Sequence, residues 1–334
     1  MSSSVAQNKS HWSTINEAGT LFGLRLLMLL YRFFGRRLFS VLLFPVALYF
    51  VVSRPNSRRA SIGFLRTHYQ FFPEQWSVKP GYWQVVKHFH QFAEAILDKL
   101  LAWSADMSIN EFDVKNSEAV DALMSSKRGR LIIGTHLGNL EYCRGFIQRY
   151  EGKAINVLLY DKHAENFVSM MQRINPHSRL NILQVDELDV ATLLRLKDRI
   201  DRGEWVFIAG DRTPLAGAKR TVNVSFLARQ APLPIGPYVL AKALACPVNL
   251  MFSYRYNTSK GSKIYFEMVN FSDKVELSRH QRQTDLQCYA QKFATELESQ
   301  CAKAPYQWFN FYDFWATQSI FVTQDAVDSN PKSL

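Results

Sequence analysis

The sequence lacks the motifs that mark several common protein classes. Its four cysteines form no C-x-x-C pair and no visible disulfide framework, which is typical of a reducing compartment. There is no H-E-x-x-H motif, which argues against a zinc site, and no G-x-S-x-G turn, which argues against a serine hydrolase. No internal repeat or long low-complexity segment occurs. We therefore expect a globular protein that needs no metal and no cofactor.

Acidic side chains are scarce in the first 66 residues. Nine Lys and Arg residues there face one acid, Glu17, so this stretch supplies +8 of the net charge of +11. The same stretch is strongly apolar, and two apolar runs flank a basic cluster: 21–31 and 38–52 around Arg32, Arg36 and Arg37. A basic excess interleaved with apolar residues indicates an anionic bilayer surface rather than nucleic acid as partner.

Neither apolar run reaches the roughly 20 residues that a spanning helix needs. A secretory signal peptide is a poor match, because the apolar part starts late and no small-residue cleavage site follows it. The second run could still span a bilayer if it tilts or if its arginines reach the headgroups. We predict that residues 21–53 attach to a membrane, as one transmembrane helix or as an interfacial hairpin. A buried pair of core helices is the alternative.

The rest of the chain divides by its pattern of apolar residues. We expect a polar segment over 1–20, the membrane-associated segment over 21–53, the main domain over 54–316 and a polar tail over 317–334. Residues 54–112 have apolar and aromatic residues at helical spacing. From about residue 128, short buried strands alternate with helices, which predicts an α/β fold. The predicted strands are 131–135, 154–160, 180–185, 205–210, 222–227, 248–256 and 263–269, and the predicted helices are 163–174, 188–202, 236–244 and 281–303.

His136 is the first candidate catalytic residue. It directly follows the predicted strand LIIGT, and Glu141 lies at the start of the next predicted helix. Gly138 supplies a turn between them, and Asn139 is a candidate helix cap. A carboxylate bonded to one ring nitrogen makes the other nitrogen a better base, which could accept a proton from an alcohol or amine attacking a thioester. A packed structural histidine is the alternative interpretation of this motif.

A second candidate loop, GDRTPLAGAKR, covers residues 210–220 and also follows a predicted strand. Asp211 and Arg212 could form an ion pair that shapes the loop. Arg212, Lys219 and Arg220 could hold a phosphate of a lipid headgroup or of a pantetheine-bearing donor. The alternative is a solvated surface loop. Ligands bind beyond the carboxyl ends of strands in such sheets, so both candidate loops lie where a site is expected.

These motifs resemble a known family when they are taken together. THLGNLE is similar to the H-x-x-x-x-D/E motif of the lysophospholipid acyltransferase superfamily. GDRTP, then KRTVNVSFLARQAPLPIGPYVLAKALACPV and PYQWFNFYDFW follow in an order that resembles the late acyltransferases of lipid A biosynthesis. With WSTINEAGTLFGLRLL, YRFFGRRLFSVLLFPVALYF and RRASIGFLR, the chain more closely resembles predicted acyltransferases linked to aryl-polyene lipid synthesis. The resemblance covers about residues 12–315.

The resemblance implies a glycerolipid-acyltransferase-like fold, with a mixed, mostly parallel central sheet flanked by helices. It implies a catalytic pair of His136 and Glu141. We expect the substrate-binding residues to be Gly138, Asn139, Asp211, Arg212, Lys219 and Arg220, with backbone amides near Gly138 or the basic loop stabilising an oxyanion. Ala228, Asn310 and Tyr312 stand where lipid A enzymes usually have Gly, His and Arg, which weakens the expectation of a lipid A acceptor.

The implied partners are an acyl carrier protein as donor, with acyl-CoA as runner-up, and a membrane lipid as acceptor. The implied location is the cytoplasmic face of a bacterial inner membrane. Two other functions stay open from the residues alone: a lipid esterase or thioesterase that uses the same pair with water, and a non-catalytic membrane-binding or nucleic-acid-binding protein. The aromatic segment 305–315 could stack bases, but no nucleic-acid motif accompanies it, so we predict a packed or membrane-proximal segment and no nucleic acid partner.

Overall fold

The computed structural model describes residues 17–103, 108–147, 154–159, 180–184, 189–212, 220–259 and 261–315. The predicted helix over 163–174 and most of the two polar terminal segments lie outside these residues. The chain divides into two compact units between Val46 and Ala47.

Helix α1 (Glu17–Ser53) covers both apolar runs. It is interrupted at Gly35, where φ is +67°, so the break falls inside the basic cluster that separates the runs. The part from Gly35 to Ser53 has the length and composition to cross a membrane, and no other helix in the described residues does. At 1.5 Å per residue its 19 residues extend about 28 Å, close to the thickness of a bilayer's hydrocarbon core. Large apolar side chains along it are exposed, among them Val41, Leu42, Tyr49 and Val52.

Two further helices precede the sheet. Helix α2 (Pro55–Phe71) starts with a proline at its first position, where the missing N–H costs nothing. Helix α3 (Tyr82–Trp103) packs against it. The prediction of helical structure over 54–112 is confirmed by α2 and α3, but it is wrong at its last residue, Phe112. Phe112 begins strand β1 (Phe112–Val114), which is too short to show a sequence period and pairs with the last strand of the sheet.

In the described residues, seven strands form one mixed, mostly parallel sheet, as predicted, in the order β1-β9-β8-β2-β5-β3-β4. The strands are β2 (Arg130–Gly134), β3 (Ile155–Leu159), β4 (Leu180–Gln184), β5 (Trp205–Ala209), β8 (Val248–Thr258) and β9 (Gly261–Ser272), with β1. Only the β8–β9 pair is antiparallel. All five residues of β2 are buried, as expected for a central parallel strand.

The segment predicted as a strand over 222–227 lies outside this sheet. It forms strand β6 (Thr221–Phe226), which pairs only with β7 (Arg229–Pro234) in a two-stranded hairpin. Leu227 and Ala228 make its turn, both with positive φ. Strand β7 is absent from the predicted strands, because its RQAPLP sequence contains two prolines, which mark edges rather than sheet interiors.

Helices cover the sheet. They are α4 (Ser117–Ser125), α5 (Leu140–Ile147), α6 (Val190–Asp201), α7 (Gly236–Leu244) and α8 (Arg282–Lys303). Helix α7 has the predicted bounds, and α8 begins one residue later than predicted. The predicted apolar face of α8 is buried at Leu286, Phe293 and Leu297, and Tyr289 packs against the core from its edge.

Candidate active site

The two candidate loops meet because their strands are neighbours. Strands β2 and β5 run parallel, and Gly134 at the end of β2 pairs with Ala209 at the end of β5. The amide of Gly210 donates to the carbonyl of Gly134 at 2.9 Å, which continues the ladder by one step. His136 and Asp211 therefore leave the same edge of the sheet, each two residues after the paired ends.

His136 and Asp211 make two hydrogen bonds. The ring Nδ1 lies 2.7 Å from Oδ1 of Asp211, and the backbone amide of His136 donates to Oδ2 at 2.8 Å. The side chain of Asp211 is completely buried, whereas that of His136 is 29% exposed. One carboxylate thus fixes both the ring and the main chain of the histidine.

Asp211 is held in its ionised form. Burial by itself would raise its pKa, but the His136 imidazole, its hydrogen bonds and the charge of Arg212 outweigh burial and lower the pKa to about 2. An ionised carboxylate at Nδ1 can only accept, so Nδ1 carries the proton and the lone pair lies on Nε2. No hydrogen bond to Nε2 occurs in the described part of the chain. Among the described residues, Nε2 is therefore the ring nitrogen that could accept a proton.

Glu141 was expected to be the partner of this ring. It lies in the first turn of α5, as predicted, and its carboxylate Oε1 is 3.8 Å from Nζ of Lys99. The carboxylate on Nδ1, however, is Asp211. Glu141 stays a predicted catalytic residue, and it would have to act from the Nε2 side of the ring or through its charge.

Asn139 has the predicted capping role. Its Oδ1 accepts the backbone N–H of Glu141 at 3.0 Å, at the start of α5. Its Nδ2 donates to the carbonyl of Ala95 at 3.2 Å, which connects the loop between β2 and α5 to α3. The side chain is buried, and both ends of its amide bond within the protein.

Gly138 is required by its conformation and by its surroundings. Its φ is +70°, and a Cβ at this position would lie 2.0 Å from the carbonyl oxygen of Ser253. Its amide donates to the carbonyl of Gln307 at 2.7 Å, and the amide of Asn139 donates to the carbonyl of Ser253 at 2.9 Å. The amide of His136 is also engaged, by Asp211. These three amides are bonded within the protein in this conformation, so of the two predicted oxyanion donors the basic loop is the one that stays available as a prediction.

A segment far along the chain completes the site. We call residues 305–315 the aromatic segment. Its Phe309 donates its amide to the carbonyl of His136 at 2.9 Å, and Trp308 forms an antiparallel bridge with Leu137. Trp308 Nε1 and Asn310 Nδ2 donate to Oδ2 of Asp211, at 3.0 and 3.3 Å. The sequence did not predict these hydrogen bonds to Asp211. The prediction that residues 305–315 form a packed segment is confirmed.

Trp308 is anchored on its other side by α3. The Nε2 of His88 donates to the carbonyl of Trp308 at 3.1 Å, and its Nδ1 accepts from the hydroxyl of Ser61 at 2.9 Å. Complete burial lowers the pKa of His88 to about 4, although the bond to Trp308 raises it. The Trp308 ring packs against Phe64 and Phe226, with centroids 4.8 and 5.1 Å away. Neutral His88 thus helps to fix the residue that holds Asp211.

The basic residues of the loop 210–220 differ in their contacts. Arg212 donates from Nε to Oδ1 of Asn310 at 2.8 Å and from Nη2 to the carbonyl of Phe309 at 2.9 Å. It therefore fastens the aromatic segment, rather than shaping its own loop through Asp211 as expected. Arg220 is exposed at the start of β6, and Lys219 lies outside the described residues. The structure brings His136, Gly138, Asn139, Asp211 and Arg212 together, while Arg220 has no contact with them among the interactions described.

Comparison with known families gives a match over nearly the whole chain. The family described as bacterial lipid A biosynthesis acyltransferase matches residues 6–317. No curated protein matches the chain.

Proposed function

The chain belongs to the bacterial lipid A biosynthesis acyltransferase family, and we propose that it moves a fatty acyl group from an acyl thioester to a hydroxyl or amine of a lipid or glycolipid, with His136 as general base. The family supports acyl transfer in general. The observation that carries the assignment to His136 is its geometry: Nδ1 is bonded to a buried, ionised Asp211, and Nε2 is without a hydrogen-bond partner among the described residues.

In the proposed reaction the acceptor hydroxyl or amine gives its proton to Nε2 of His136 as its lone pair attacks the thioester carbonyl. The tetrahedral intermediate then collapses, the carbon–sulfur bond breaks, and the thiolate takes the proton from Nε2. Asp211 stabilises the imidazolium between these two steps and keeps the ring oriented. No covalent acyl-enzyme is needed. Glu141 is the second carboxylate that we propose to take part, and its negative charge would also stabilise the imidazolium.

The oxyanion of the tetrahedral intermediate needs a hydrogen-bond donor, and the amides of His136, Gly138 and Asn139 are already bonded within the protein. Arg212 is the described cation closest in sequence to Asp211, and it uses Nε and Nη2 to hold the aromatic segment. We propose that its remaining Nη1, or a basic residue of the adjoining loop such as Lys219, supplies this charge. A donor in such a position contributes about 3–4 kcal/mol to transition-state stabilisation.

The finer assignments follow from the resemblance and from charge. We propose acyl carrier protein as donor in preference to acyl-CoA, because an acidic carrier suits a chain with a net charge of +11. We propose a membrane glycolipid acceptor and a location at the cytoplasmic face of the bacterial inner membrane. Departures at Ala228, Asn310 and Tyr312 favour an acceptor other than the lipid A precursor, such as an aryl-polyene lipid.

Product analysis tests the proposal. The full chain in lipid vesicles is mixed with an isotopically labelled acyl thioester, with and without a lipid extract as acceptor, and the products are identified by mass spectrometry. Acyl transfer that requires the extract and is lost in His136→Ala supports the proposal. Release of free fatty acid at the same rate without acceptor would establish a hydrolase instead. Transfer that survives His136→Ala at full rate would contradict the assignment of the base. Comparison of lipids from cells with and without the gene then identifies the acceptor.

A further inference from the structure

The stretch from the end of α2 to the start of α3 exposes large apolar side chains. Tyr82 is 75% exposed, Trp83 65%, Val78 56% and Phe71 39%. We call these four residues the interface patch. Isolated exposed apolar residues are ordinary, but four within the 13 residues from Phe71 to Trp83, two of them Tyr and Trp, are typical of a surface that meets a partner. Tyr and Trp in particular concentrate at the headgroup level of bilayers.

Charge along the chain on either side of the interface patch is mostly positive. Residues 54–90 contain six Lys and Arg residues and one acid, Glu74. Five of the six are exposed: Arg54, Arg59, Arg66, Lys79 and Lys87. Arg66, Lys79 and Lys87 lie within five residues of a member of the patch along the chain. Exposed aromatic residues with cations nearby fit an anionic lipid surface, where rings insert at the headgroups and cations meet phosphates. An acidic protein would satisfy the cations but would leave the exposed rings less well explained.

The interface patch sits on a connection with fixed geometry. Trp76 donates from Nε1 to Nδ1 of His68 at 3.0 Å, and the amide of Gly81 is capped by Oε1 of Gln84 at 2.8 Å. Arg66 donates from Nε to the carbonyl of Pro80 at 3.4 Å, at the limit of a hydrogen bond. These contacts hold the connection against α2 and α3, so Val78 and Tyr82 are presented outward by a folded surface.

Helix α3 leads from the interface patch to the candidate active site. Ala95, whose carbonyl holds Asn139, follows Tyr82 by a helical distance of about 20 Å. Phe92 and Ile96 are 37% and 46% exposed, and with Tyr82 they lie within about 80° of one another around the helix axis. Val85 and Phe89 lie on the same side of α3 between these positions and are buried, so Phe92 and Ile96 form a second partly exposed apolar area, near the loop between β2 and α5.

We propose that the interface patch inserts into the headgroup layer of an anionic bilayer, as a membrane contact in addition to the apolar helix Gly35–Ser53. This contact brings α3 to the lipid surface, so that the hydrocarbon chain of a bilayer lipid can pack on the second apolar area, Phe92 and Ile96, on its route towards His136. The contact itself does not depend on the catalytic proposal. The route rests on the proposed function, because it presumes a lipid acceptor.

Site-specific labelling of the full chain tests the contact. Of the four cysteines, only Cys288 is exposed, on α8. An environment-sensitive fluorophore is placed at Val78→Cys or at Tyr82→Cys in a Cys288→Ser background, and the native Cys288 labelled in the unchanged chain is the matched control. Each protein is reconstituted into phosphatidylcholine vesicles, with or without phosphatidylglycerol, that carry spin-labelled lipid as quencher.

We expect quenching at positions 78 and 82 to be at least several-fold stronger than at position 288, and to weaken when phosphatidylglycerol is omitted or when Lys79 and Lys87 are changed to Glu. Equal quenching at all three positions, or none at 78 and 82, would overturn the proposal. So would a label at position 82 that is shielded by added acyl carrier protein in detergent but unaffected by lipid, since the partner would then be a protein.

Kinetics test the route. The double variant Tyr82→Ser, Trp83→Ser should raise the KM for a vesicle-borne acceptor about tenfold and leave kcat for a short-chain acceptor in detergent unchanged. An unchanged KM for the vesicle-borne acceptor would refute the route. Failure of the proposed function shows up separately, as full activity of His136→Ala, and it would leave the labelling result intact.

Discussion

Trp308 donates its indole N–H to Oδ2 of Asp211 at 3.0 Å, across a separation of 97 residues. Asp211 in turn bonds to both the ring and the amide of His136. The candidate base is therefore held by a carboxylate that is itself held by the aromatic segment, and α3 holds that segment through His88. Four predictions follow from these contacts and from the conformation of Gly138 next to His136.

Replacing Asp211 should cost more activity than replacing Glu141. Asp211→Asn removes the charge that fixes the tautomer of His136, and we expect kcat to fall by about 10³-fold or more. Glu141→Gln, the matched variant, leaves the Nδ1 bond intact and should cost less. Steady-state kinetics with circular dichroism to check folding makes the comparison. A larger loss in Glu141→Gln would show that Glu141 is the principal partner of the base.

Removing the indole N–H of Trp308 should impair catalysis more than folding. Trp308→Phe keeps an aromatic ring but takes one donor from Asp211, and we expect kcat to fall about tenfold, since a hydrogen bond to a charged group contributes about 1.5–3 kcal/mol. Trp315→Phe is the control, because the buried Nε1 of Trp315 has no hydrogen-bond partner among the described residues. Equal loss of kcat in the two variants would mean that only aromatic packing matters.

Gly138 should not tolerate a side chain. In Gly138→Ala the new Cβ would meet the carbonyl of Ser253 at 2.0 Å and would sit at a positive φ, so the loop must move. We expect activity to fall below about 1% and the unfolding free energy to fall by about 1–3 kcal/mol. Gly63→Ala in α2 is the control, since a Cβ there has nothing within 4 Å, and it should be neutral or stabilising. Thermal unfolding and activity assays read out both effects.

Acid should destabilise the fold through His88. Its pKa is about 4 in the folded protein and 6.5 as the ordinary value, so between these values the unfolded chain binds a proton that the folded chain does not. The unfolding free energy should therefore fall as the pH drops from about 6.5 to 4, by about 3 kcal/mol in total. His88→Phe should reduce this slope, and the part that is left is expected from His68, whose pKa burial also lowers. A slope in that variant equal to the wild-type slope would assign the effect elsewhere. Protonation of Asp211 lowers the unfolding free energy in a separate pH range, below about pH 4.

The sequence predicted the parts of the site that depend on strand ends. LIIGT and WVFIA are short apolar runs in an alternating chain, so His136 and Asp211 could be placed at the same edge of a parallel sheet. Their direct pairing depends on β2 and β5 being neighbours in register, which the two runs do not specify. The position of each side chain just beyond the end of its strand indicates the same edge of the sheet, but it does not identify Asp211 as the partner of His136.

The roles of Trp308 and Asn310 could not be predicted, because nothing local ties PYQWFNFYDFW to a loop about 170 residues earlier. The same limit explains the missed strands. Strand β1 has three residues, and β7 contains Pro232 and Pro234, so neither has an alternating pattern of usable length. Helix α7, by contrast, was predicted with its observed bounds, because Gly236 and Pro237 mark its start and an apolar face fills the rest.

The order of these elements along the chain has a consequence for biosynthesis. His136 is translated about 170 residues before Phe309 and Trp308, and ribosomes add on the order of 5–20 residues per second. For roughly ten seconds or more the nascent polypeptide carries its histidine loop without the segment that orients Asp211. The newly made protein would therefore stay inactive towards thioesters until that segment has left the ribosome and docked.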